Sequence, residues 1–151
     1  MKLWQLFVLG AIVSWGSYVP LMHQGQTLLK GGALRAFLCV GMAYFFTAVM
    51  VPLALMAGPK LEPFEFNQGG VTYATIGGIA GAAGALCVIL ALKSGGSPIY
   101  VAPLVFAGAP IVNTLISISW HKPKSPPEPW FYMGLILAAI GAGMVLRFKP
   151  T

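Results

Sequence analysis

Aspartate is absent from the sequence, and only three glutamates, Glu62, Glu65 and Glu128, supply negative charge. Charged residues of either sign make up 8% of the 151 residues, against roughly 25% in a soluble globular domain. So few charges cannot clothe a water-soluble surface. Two histidines, His23 and His121, and two cysteines, Cys39 and Cys87, complete a thin stock of titratable and metal-ligating groups. The cysteines have no paired spacing and sit in apolar stretches, so they read as small apolar residues rather than a disulfide or a metal site. Paired carboxylates, a His and Cys cluster, a nucleophile elbow and a phosphate-binding loop are all missing. Acid–base chemistry needs positioned proton-transfer groups. The expectation is a non-enzyme with no cofactor and no metal.

What the chain has instead is apolar residues, 58% of the total, gathered into blocks. A membrane-spanning helix needs about 20 mainly apolar residues, and five blocks qualify: 3–22, 36–57, 71–92, 98–120 and 130–146. The connectors between them hold nearly all the charge and much of the Gly and Pro. Trp4, Tyr100, Trp120 and Trp130 fall near block ends, where amphipathic rings favour the headgroup level. The expected fold is therefore an all-α integral membrane protein of about five transmembrane helices in one domain, 1–151, with the lipid bilayer as its solvent. The first block carries Trp15, Tyr18 and Pro20 and no A-x-A cleavage pattern, which argues against a cleaved signal peptide. Short connectors and the lack of transit features point to a bacterial inner (plasma) membrane.

The net charge of +6 does not indicate nucleic acid, because the cations are scattered singly or in pairs over the connectors with no basic stripe. With five spans the termini lie on opposite faces. Lys2, Lys60, Lys122 and Lys124 then share the N-terminal face, and Lys30, Arg35, Lys93, Arg147 and Lys149 the other. Such near parity gives the positive-inside rule little to act on. Two readings stand: a single orientation set by the slightly more basic C-terminal face, or insertion in both orientations with inverted copies pairing as an antiparallel homodimer. The second would rebuild from two chains the inverted repeat that many transporters carry in one.

All three acids fall in connectors, so no expected helix holds the intramembrane carboxylate on which proton or cation coupling commonly depends. Polar features within the blocks are neutral. Ser14, Trp15 and Tyr18 precede Pro20 in the first, where hydroxyls and an indole could bind a polar solute or could mark close packing and an interface. Gly77, Gly81 and Gly84 in the third, echoed more weakly by Gly134, Ala138, Gly141 and Gly143 in the fifth, let helix backbones approach closely. The fourth combines Pro110, which frees a backbone carbonyl and breaks the helix, with Asn113, Thr114 and Ser117. An amide there could line a solute path or glue two helices together.

The order of these features resembles one repeat of the drug/metabolite transporter superfamily, the EamA-type unit of five helices, over nearly the whole chain. The pieces that carry the resemblance are Trp15-Gly16-Ser17, Ala33-Leu34-Arg35-Ala36-Phe37, the Gly-rich third block ending in Ala91-Leu92-Lys93, the Pro110 block, and the closing segment from Gly134 to Leu146. The run from Trp15 to Pro20 also looks like the opening of the sugar-transporting branches. The resemblance implies a transporter of small metabolites, commonly built from two repeats in inverted orientation, of which this chain has one. It departs from that pattern at Ser119-Trp120-His121-Lys122-Pro123-Lys124, where such repeats often carry an acid.

Together these readings give a transporter of a small polar or neutral metabolite, sugar-like solutes included, acting as a homodimer. Ser14, Trp15, Tyr18, Asn113 and Thr114 would line its path, Pro20 and Pro110 break its helices, and Gly77, Gly81 and Gly84 pack them. The alternative is a non-transporting scaffold or accessory subunit of a larger membrane complex.

Overall fold

The computed structural model describes residues 2–58, 65–120, 123 and 125–150. Lys60, Glu62, His121, Lys122 and Lys124, which enter the charge comparison or the departure from the resembled repeat, lie outside the described residues. Among the described residues every regular element is helical. Five helices are long and apolar enough to cross a membrane: α1 Leu3–Leu28, α2 Ala33–Met56, α3 Gln68–Lys93, α4 Pro98–Trp120 and α5 Pro129–Arg147. At about 1.5 Å per residue even the 19 residues of α5 extend about 28 Å, close to the ~30 Å hydrocarbon thickness of a bilayer.

Helix ends depart from the hydropathy blocks wherever hydrogen bonding, not apolarity, sets them. Helix α1 runs six residues past Met22 through the polar segment His23–Thr27, then stops in a Schellman turn. In that turn the Gly31 N–H donates to Gln26 O at 2.8 Å and the Lys30 N–H to Thr27 O at 3.0 Å. Lys30 holds the left-handed position at φ 52°, a conformation usually given to glycine because it lacks a Cβ. Helix α3 starts three residues before Val71 because Asn67 caps it, its side-chain oxygen accepting the Gly70 N–H at 2.7 Å. Helix α5 opens one residue early, with Pro129 in the first turn, where a missing N–H costs nothing.

Helix α2 is not uniform. Ala33–Tyr44 and Val51–Met56 are α-helical, and Phe45–Met50 between them is π-helical. Pro52 supplies a reason: it has no N–H for the carbonyl of Ala48, and its ring crowds that carbonyl. Widening the preceding turns moves the bonds out of register, so that Val51 N–H donates to Phe46 O. Within the same stretch the Thr47 hydroxyl donates back to Ala43 O at 2.8 Å.

The chain divides into two compact units, one of Pro20–Gly95 and one of Met1–Val19 with Gly96–Thr151, the boundary crossing α1 at Pro20. In the Pro20–Gly95 unit the first half of α2 lies against α3. Its buried residues are Ala33, Ala36 and Val40 on α2 and Ala85, Val88, Ile89 and Leu92 on α3, spaced at three and four as one helix face requires. Gln26, only 5% exposed, donates its side-chain N–H to Ile89 O at 2.8 Å. In the other unit α4 lies against α5, Val101 is buried, and the Lys149 ammonium stands 5.0 Å from the centre of the Tyr100 ring.

Most large apolar side chains remain bare, among them Phe7, Val13, Leu38, Ile79, Ile99 and Trp130, each more than half exposed. Water would penalise such a surface heavily, whereas hydrocarbon matches it.

Candidate functional site

Proline shapes α4 twice, at Pro103 and Pro110. Pro110 cannot donate to the carbonyl of Phe106 one turn earlier, and onto the ring of that same Phe106 the Trp15 indole packs edge-on. The ring centres are 6.1 Å apart and the planes inclined by 63°. One turn beyond Pro110 the helix carries Asn113, Thr114 and Ser117. Asn113 and Ser117 are four apart and Thr114 and Ser117 three apart, so the three share one sector of the helix.

That sector faces an open groove. Asn113, Thr114, Ser117 and Ile118 of α4 form one wall; Pro123, Ser125 and Pro127 of the connector and Phe131 of α5 form the rest, bordering an open volume of about 430 Å³. The walls are mainly apolar, with the amide and the hydroxyls placed among them. Among the described residues that line it there is no acid or base. The groove lies wholly within the unit that contains α4 and α5.

Several hydroxyls elsewhere on the helices close back on their own backbone, although those of Ser14 and Ser119 do not. Ser17 donates to Ser14 O at 2.9 Å, Thr27 to His23 O at 3.0 Å and Thr72 to Gln68 O at 2.8 Å. Such return bonds satisfy a hydroxyl where water is scarce. The side chains of Asn113, Thr114, Ser117 and Ser125 make no hydrogen bond to any described residue. Asn113, Ser117 and Ser125 are exposed and Thr114 is half-buried, so their bonding capacity is open to whatever reaches the groove.

Of the sequence-derived path residues, Asn113 and Thr114 therefore meet in one site, while Ser14, Trp15 and Tyr18 do not line it. Ser14 and Trp15 are exposed on α1, and Tyr18 is half-buried. Pro20 and Pro110 lie inside their helices without ending them. Around Gly77, Gly81 and Gly84 no atom beyond the helix's own nearby backbone comes within 4 Å of where a Cβ would stand, and the same holds for Gly134, Gly141 and Gly143. Ser125 and Phe131 carry no sequence signal for the site, because they come from a connector and from the next helix. Ser117 stands in the same apolar block as Asn113 and Thr114, where its polarity marks it. Gln26 gave no signal, since its partner is a backbone carbonyl 63 residues away.

Among the described residues no three His, Cys, Asp or Glu side chains gather where they could hold a metal ion. Glu65 and Glu128 both precede helices, Glu128 at the N-cap of α5, where the positive end of the helix dipole favours a carboxylate. No family model, no curated protein and no solved structure matches the chain.

Proposed function

We propose that this chain is an integral membrane protein that moves a small polar or neutral solute across a bacterial inner membrane, working as a homodimer. The observation that carries this reading is the orientation of Asn113 and Thr114. They face an open groove whose far side is Phe131 of α5, with no hydrogen bond to that helix, and a polar residue in an apolar helix serves either helix adhesion or a pathway. The likeness to a single EamA-type repeat supports it further, because such repeats work in pairs. With no carboxylate in any described helix, facilitated diffusion or exchange fits better than proton coupling.

The test is counterflow in proteoliposomes loaded with neutral sugars and polyols, with amino acids and cationic dyes as contrasts. Uptake of a neutral solute, lowered at least tenfold by Asn113→Leu in protein that still folds, is the expected result. Loss of assembly in the same variant, without any flux in the parent, would favour helix adhesion.

A specific observation also favours the second reading, a scaffold or accessory subunit. Gly77, Gly81 and Gly84 of α3 meet nothing, and the apolar faces around them are bare, which suits a different chain as well as a second copy. Purified protein that stays monomeric and supports no flux would select it.

A further inference from the structure

We infer that the groove between the end of α4 and the start of α5 is a binding site for a neutral amphiphile, a molecule with a hydroxyl-bearing, uncharged head on a hydrocarbon body. It shares Asn113 and Thr114 with the proposed solute path and rests on that reading only for the premise that these side chains face a ligand.

The volume comes first. About 430 Å³ lies within the 300–1,000 Å³ common for small-molecule sites. The lining selects the chemistry. Ile118, Pro127 and Phe131 offer an apolar wall and one aromatic ring, suited to hydrocarbon. Against them stand one amide and the hydroxyls of Thr114, Ser117 and Ser125, which donate and accept but carry no charge. Because none of these groups is spent on a described residue, a ligand can take up their bonds without displacing internal ones. An ionised head would find no counter-charge among the described lining residues.

Depth agrees with this division. Asn113 lies seven residues before Trp120 at the end of α4, about 10 Å along the helix axis. With Trp120 at the headgroup level, the groove reaches from the interface into the upper hydrocarbon, the depth at which an amphiphile rests. Such a ligand arrives either as a membrane lipid or from water; the head and body chemistry are the same.

The experiment uses the full chain in phosphatidylcholine nanodiscs and measures saturable binding by native mass spectrometry. Monooleoylglycerol represents the lipid source and octyl glucoside the water-borne one. Oleate and octyl sulfate are their charged counterparts. At least one neutral probe is expected to bind once per chain, at least tenfold more tightly than its charged partner. Thr114→Val, which keeps shape and removes the hydroxyl, and Asn113→Leu are expected to weaken that binding at least fivefold. Thr114→Ser retains it, and Ser119→Ala, outside the groove on the same helix end, leaves it unchanged. Equal binding of neutral and charged probes, equal loss in Ser119→Ala, or no saturable binding of either neutral probe overturns the inference. Binding without flux leaves the site standing and removes the transporter reading; flux without amphiphile binding does the reverse.

Discussion

A lysine in the left-handed conformation ends α1, and that single residue illustrates how local chemistry overrides composition. Lys30 occupies the position after the C-cap at φ 52°, with Gly31 beside it at φ 70°. A side chain with a Cβ is disfavoured there by roughly 1–2 kcal/mol relative to the right-handed region, a cost that glycine escapes. Lys30→Gly should therefore stabilise the protein by about 1 kcal/mol, readable as a rise in the thermal midpoint in detergent or nanodiscs. No gain would mean that the Lys30 side chain contributes a compensating interaction. Asn67 is the opposite case, a residue already suited to its place. Its side chain takes the Gly70 N–H, and Asn67→Ala should cost about 1 kcal/mol in the same measurement. Neither residue was legible as a helix boundary from hydropathy, because each lies in a polar connector and acts through one hydrogen bond or one dihedral.

Five helices were legible because each presents about 20 apolar residues with charged or Pro- and Gly-containing connectors on either side, a pattern only lipid-spanning length explains well. The π-helical stretch Phe45–Met50 was not, although its cause, Pro52, stands in plain view. A proline in a helix can produce a kink, a bulge or a shifted register, and one sequence does not say which. Pro52→Ala restores the donor to the Ala48 carbonyl and is expected to return Phe45–Met50 to α-helical hydrogen bonding. Hydrogen exchange, or the carbonyl shifts of isotope-labelled protein, would register this as greater protection around Ala48. An unchanged π stretch would place its origin instead in the side chains, Thr47 and its bond to Ala43 included. The candidate site was half legible. Asn113 and Thr114 stood out as polar residues in an apolar helix, but the opposing wall belongs to Ser125, Pro127 and Phe131, whose proximity follows only from the turn between α4 and α5.

For the whole molecule the open question is what covers its small-residue face. Gly77, Gly81 and Gly84 recur along α3, and an added Cβ at any of them would touch no neighbouring side chain. Gly81→Leu should thus leave the monomer's helix content and thermal midpoint nearly unchanged, while a homodimer built on this face would fall apart. Cross-linking in native membranes compares the two. Persistent dimers in Gly81→Leu would move the interface elsewhere. Reporter fusions after Thr151 add the orientation: activity on both sides of the membrane fits inverted pairing, and activity on one side confines the assembly to parallel copies or a different partner chain.

Gln26 ties local structure to the order of assembly. Its carbonyl receives the N–H that terminates α1, and its side chain reaches Ile89, so one residue completes a turn of its own helix and a joint with a helix made much later. During synthesis the amide must wait while more than sixty residues emerge, and a carboxamide without a partner is tolerated only where water still reaches it. The joint between the two helices therefore closes only once Ile89 has been made and α3 has formed, and until then the Gln26 amide must bond to water or to another group.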